Sequence, residues 1–132
     1  MRLWHIDLIP YLPNSQLIAQ WRELNSIFKK QDKHILINYI YEYDKQYLFN
    51  YTFAVIEELS ARNIKIKKWD NYDKYFIDLV GTINCDLKYP EHHNEYLTIC
   101  YYNLKEKYIR GQKDFTLELF IKLTHFCLTK ME

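Results

Sequence analysis

Glycine and proline are scarce: the 132 residues contain two glycines, Gly81 and Gly111, and three prolines. β-Sandwiches and barrels need a turn roughly every ten residues, so this scarcity excludes a many-stranded β architecture and makes helices the default. It also excludes the glycine-rich phosphate loops of P-loop and Rossmann proteins. No apolar run approaches the roughly 18 residues of a membrane span, and no charged leader followed by an apolar stretch opens the chain. The expectation is a cytoplasmic protein with no membrane partner. Three cysteines, Cys85, Cys100 and Cys127, form no C-x-x-C pair and are odd in number, which argues against a disulfide framework or a zinc ribbon. Charge of one sign is also lacking. The formal net charge of +1 argues against a protein that coats DNA through a broad basic field. Residues 1–70 carry ten Lys/Arg against eight Asp/Glu, and residues 71–132 eight against nine, so any positive face is expected from the first half.

Aromatic residues are abundant, with thirteen tyrosines, and most of these rings are expected to fill a core with the hydroxyl on water or a polar partner. The length suits one core and falls short of two domains of about 100 residues each, which predicts a compact single domain, 1–132. Met1 to Leu12 mixes apolar and polar residues and meets Pro13, reading as an extended arm that leads into a helix. Asn14 is a candidate N-cap, and Leu17, Trp21, Leu24 and Phe28 recur at helical spacing, predicting a helix over 15–30. Gln16, Gln20 and Glu23 line the edge of its apolar stripe, with Arg22 to one side. Ile35 to Tyr43 lacks a clear period and reads as a buried connector. A second helix is predicted over 44–62 with Asn63 as its stop. The stretch 65–71 reads as a loop, and 72–80 as a short helix ended by Gly81. A further helix is predicted over 91–107, broken by Gly111, and a last one capped by Asp114 with Leu117, Phe120, Ile121, Thr124 and Leu128 as its buried face.

Glu91-His92-His93 with Glu95 has spacing that brings His and Glu to one helix face. No third cluster of ligands stands at metal spacing, so no metal site is expected.

Leu8 to Leu12, then Leu17, Ala19, Arg22, Glu23 and Leu24, align without a gap from the first methionine with the start of the phage-type pyrimidine-dimer DNA glycosylase family, which this segment resembles. Phe28, Lys33-His34, Tyr41 to Lys45 and Tyr89-Pro90-Glu91-His92 extend the resemblance over about 100 residues. The opening Met1 to His5, Leu8 to Pro13 and Gln20 to Glu23 is closer still to a bacterial branch of that family. The resemblance implies an all-α fold whose N-terminal arm threads toward helix one and sets its α-amine beside a carboxylate, here Glu23. It implies a DNA-repair glycosylase with abasic-site lyase activity on damaged pyrimidines in double-stranded DNA. In that chemistry the amine attacks the sugar C1′ and an iminium forms, with no cofactor or metal. An α-amine has an ordinary pKa of about 7.7–8.0, against about 10.4 for lysine, which leaves a neutral fraction near pH 7.

The implied catalytic pair is Met1 and Glu23. The implied DNA-binding residues are Arg22 on a phosphate, Lys33 and His34 on the backbone, Arg2 on phosphate or Glu23, Trp4 and His5 near a flipped-out nucleotide, and Gln16. This chain departs from the family in four places. Arg2 replaces the family's small threonine at position 2, so Met1 is expected to be retained and to supply the amine. Gln16 replaces a histidine, Ser26 replaces an arginine, and the loop before helix two is shorter. A non-catalytic helical DNA-binding module that keeps the fold is the alternative these departures raise. The chain is expected to be a monomer.

Overall fold

The computed structural model describes residues 1–79 and 84–131, so the predicted stop at Gly81 lies outside the described residues. Among the described residues there are five α-helices, two 3-10 turns and no strand, an all-helical fold. The helices are α1 (Asn14–Lys30), α2 (Lys45–Ala61), α3 (Asp70–Tyr75), α4 (Asn94–Ile109) and α5 (Leu117–Met131). None is long and apolar enough to cross a membrane.

The arm is only partly extended. Residues 1–5 have no regular structure, but Ile6–Tyr11 closes into a 3-10 turn, started by the Nδ1 of His5, which accepts from the Asp7 amide at 3.1 Å. Pro10 sits inside this turn because a short 3-10 segment leaves room for a missing amide. Leu8 and Ile9 are buried, and the turn packs on α2 on one side and α5 on the other. It therefore joins two helical groups, α1 with α2 and α3, and α4 with α5. The fork of Arg62 at the end of α2 holds the exit of the arm. It donates to the carbonyls of Pro10 (3.1 Å) and Leu12 (2.7 Å) and to Asn14 Oδ1 (2.8 Å), while Glu58 orients it from one turn back.

Helix ends follow local chemistry. At the end of α2, Asn63 takes the left-handed conformation (φ 59°), and the Asn63 and Ile64 amides donate to Ser60 and Leu59. At the end of α4, Gly111 (φ 86°) does the same, with Gly111 and Gln112 donating to Tyr108 and Lys107. Both are the paired C-terminal bonds that αL residues permit. The predicted N-caps differ. Asn14 is the first helical residue and gives α1 no side-chain cap; Asp114 does so from a distance, accepting from the Ser15 amide at 2.6 Å and its hydroxyl at 2.9 Å. Asp114 therefore does not start α5. Thr116 does, its Oγ1 accepting from the Leu119 amide at 3.1 Å.

Two burial expectations are corrected. Ile35 is 86% exposed, and only Ile37 and Ile40 of the connector are buried, because a turn and the 3-10 segment Asn38–Glu42 break it into alternating faces. In α5 the buried pair is Leu123 and Cys127, whereas Leu117, Ile121 and Leu128 are more than half exposed. The short helix predicted over 72–80 begins earlier, at Asp70, and ends at Tyr75.

Candidate active site

The side of α1 that carries Gln16, Gln20 and Glu23 faces the irregular start of the arm, residues 1–5. Gln20 is 1% exposed and ties the two together. Its Oε1 accepts from the Trp4 amide at 2.9 Å, and its Nε2 donates to the Arg2 carbonyl and to Glu23 Oε2, each at 3.1 Å. A glutamine suits this position because its amide offers an acceptor and two donors at one site. From α2 the buried Tyr51 hydroxyl shares its proton between the Trp4 carbonyl (2.7 Å) and Gln20 Oε1 (2.9 Å). Burial pushes the Tyr51 phenol well above its ordinary pKa, which keeps it a donor. The Tyr96 hydroxyl of α4 donates to the Leu3 carbonyl. The backbone of residues 2–4 is thus fixed by side chains of three helices, α1, α2 and α4.

This anchoring leaves a pocket of about 210 Å³ lined by Met1, Arg2 and Trp4 of the arm, Gln16 and Glu23 of α1, Leu36 of the connector, and Asn103 and Lys107 of α4. Among the described residues Glu23 is its one carboxylate, set against three lining residues that carry basic groups: Met1 at the terminus, Arg2 and Lys107. Burial raises the Glu23 pKa, opposed by the Met1 terminus, then Arg22, Lys107 and the Gln20 hydrogen bond. Met1 and Glu23 line the same pocket, and the Met1 terminus forms no ion pair with Glu23 within 4.0 Å. The Arg2 guanidinium lies 5.8 Å from the ring centres of both Trp4 and Tyr96, close enough for cation–π attraction. The pocket can therefore present an amine and a carboxyl of raised pKa to one small substrate group, with Arg2 and Lys107 available for an anion.

Five of the nine predicted site residues meet here: Met1, Arg2, Trp4, Gln16 and Glu23. His5 is 3% exposed and lies behind the pocket, its ring 5.3 Å from that of His92. Arg22, to one side of Glu23 on α1, lines a separate groove, although its charge still acts on Glu23. Lys33 and His34 are exposed on the connector and do not line the pocket. Leu36, Asn103, Lys107 and the bracing Gln20–Tyr51 pair are additions. Asn103 and Lys107 are four apart, so the sequence shows that they share a face of α4, but not that this face meets Glu23.

The histidines near α4 are engaged within the protein. His92 Nδ1 accepts from the Ile6 amide at 3.0 Å and its Nε2 faces the Tyr39 hydroxyl at 2.7 Å, while His93 Nδ1 caps α4 by accepting from the Tyr96 amide. No group of three or more His, Cys, Asp or Glu that could hold a metal occurs among the described residues.

A family model described as pyrimidine dimer DNA glycosylase matches residues 1–71, more than half of the chain. No curated protein and no solved structure shows significant similarity to it.

Proposed function

Because the chain belongs to the pyrimidine dimer DNA glycosylase family, we propose that it excises damaged pyrimidines from double-stranded DNA and cleaves the resulting abasic site, with Met1 as nucleophile and Glu23 as proton carrier. The observation that carries this is the shared pocket: the arm is held so that Met1 and Glu23 line one small cavity with Arg2 and Lys107 beside them. The neutral α-amine of Met1 attacks C1′ of the damaged nucleotide. The C1′–N bond breaks, its electron pair passes to the base, and the base takes up a proton. The nitrogen loses a proton as O4′ gains one from Glu23, the sugar ring opens, and an iminium joins Met1 to C1′. Glu23, now a carboxylate, removes a C2′ proton and the 3′ phosphate leaves by β-elimination.

Raised by burial, the Glu23 pKa moves toward neutrality, where a carboxyl both gives and takes protons most effectively. Arg2 and Lys107 suit the phosphates on either side of the sugar. This chemistry requires a free α-amine at Met1. Arg2 lines the pocket where the family has a small threonine, and this favours a second reading, a DNA-binding module that has lost the amine chemistry.

Borohydride trapping on a duplex with one abasic site separates the two. Reduction of the iminium leaves a stable protein–DNA adduct. The enzyme gives an adduct that is lost on N-terminal acetylation and reduced by about 10²–10⁴-fold in rate in Glu23→Gln, the usual share of a general acid–base. Salt-sensitive duplex binding without any adduct would establish the binding module instead.

A further inference from the structure

Beside α1, a second groove of about 640 Å³ runs between the helix and the segment that follows α2. Six cations line it: Arg22, Lys29 and Lys30 from α1, and Lys65, Lys67 and Lys68 from the facing segment. No carboxylate lines it, and none of the six forms an ion pair among the described residues. Its floor is aliphatic, formed by Ile18, Leu59, Ile64 and Ile66. At its α1 wall stands Asn25, 9% exposed; its Nδ2 donates to the Trp21 carbonyl at 3.0 Å, but its buried Oδ1 has no partner.

The facing segment has the form of a strand without a sheet. It lies between two left-handed residues, Asn63 (φ 59°) and Lys68 (φ 64°), and has neither helix nor turn. Its side chains alternate, Ile64 and Ile66 half-buried and Lys65 and Lys67 exposed, the period-2 pattern of an extended chain. The amides of Lys65, Ile66, Lys67 and Lys68 donate to no protein group among the described residues. Of the carbonyls from Ile64 to Lys68, only that of Lys67 is engaged, by Trp21 Nε1 at 2.9 Å.

We propose that this groove is a docking site for an extended acidic peptide segment of a partner protein, pairing with the backbone of Ile64 to Lys68. The unpaired edge offers main-chain bonds, the aliphatic floor takes alternate apolar side chains, and the lysine rim takes the carboxylates between them. Nucleic acid satisfies the same charge, but the phosphates of a duplex leave the aliphatic floor and the unpaired strand edge unused, and a single strand needs exposed aromatic faces on which to stack its bases. Among the described residues the only aromatic lining the groove is Trp21, 7% exposed and packed edge-on against Phe28 and against Trp69, which is 37% exposed but lies outside the lining.

The test uses the full chain and a fluorescein-labelled peptide alternating glutamate with leucine or valine. Controls are the same peptide with lysine for glutamate, short oligothymidylate, and an undamaged DNA duplex. The acidic peptide should bind saturably at low salt and weaken as salt rises. It should shift the backbone amide NMR signals of residues 64–68 and the Asn25 side-chain signal. In the double variant Lys65→Glu/Lys67→Glu, affinity should fall by about tenfold or more, since like charges now face the ligand. Both lysines are exposed, so an unchanged melting temperature shows that the variant is folded. The proposal is overturned by an absence of saturable binding, by binding indifferent to the double variant, or by shifts elsewhere. Oligothymidylate or duplex that displaces the peptide and produces the same shifts more strongly would overturn it in favour of a nucleic-acid groove.

Discussion

Glu23 carries opposing demands. Burial penalises its charge, and the charges and hydrogen bond around it recover only part of the penalty, so its folded pKa stays above the ordinary 4.5. A carboxyl with a raised folded pKa contributes most to stability below its unfolded pKa, and that contribution is lost as pH rises through the folded value. At neutral pH the charged form is therefore a burden that Glu23→Gln removes. Thermal melts should show Glu23→Gln to be more stable than the wild type at pH 7, with the advantage vanishing below about pH 4.5, even as its lyase rate collapses. A variant that is less stable at pH 7 contradicts this account of the site's electrostatics. Glu23 was legible because the start-to-Glu23 spacing carries the family resemblance. Gln20 was legible only as a neighbour on the wheel, since its task, holding two backbone groups of the arm, depends on contacts 16 and 18 residues apart in sequence.

Among the elements, the helices showed clearly through the repeat of their apolar residues, and Asn63 and Gly111 marked two ends correctly because left-handed backbone is a local preference. Asp114 and α5 were misread for the opposite reason. A carboxylate before a helix fits a local cap, but here it bridges to α1, and an apolar spacing gives a stripe without saying which stripe meets a neighbour. Asp114→Ala should cost about 0.5–2 kcal/mol in urea unfolding, the range for a lost cap. Burial tends to raise the Asp114 pKa, but its hydrogen bonds from Ser15 and Gln112 prevail and lower it, so its contribution is present above about pH 3.8 and lost as pH falls through the folded value. The junction of arm and α4 predicts a second acid limb. Burial drives His92 down to about 3, followed by repulsion from His5 and His93, so it stays neutral in the fold while the unfolded chain protonates near 6.5. Stability should be full above pH 6.5 and fall steadily toward pH 3. His92→Asn, whose Oδ1 can still accept from Ile6, should start from lower stability and show a flatter slope; an unchanged slope refutes this assignment.

At the scale of the molecule, the pocket is assembled from distant parts of the chain. Residues 1–71 supply the arm, Glu23 and Leu36, but Asn103 and Lys107 come from α4, beyond the family match. The net charge of +1 concealed this arrangement, because carboxylates elsewhere on the chain offset the local basic groups. Lys107→Ala should weaken binding to abasic duplexes regardless of flanking sequence, and should lower the slope of log affinity against log salt by about one. An unaltered slope would remove Lys107 from the DNA contacts. Digesting the borohydride-trapped complex and locating the adduct by tandem mass spectrometry shows which amine performs the covalent step. Deoxyribose on the α-nitrogen of Met1 is the expected result. An adduct on the Lys107 ε-amine, the other primary amine lining the pocket, or no adduct from a folded protein that binds the duplex, would contradict it.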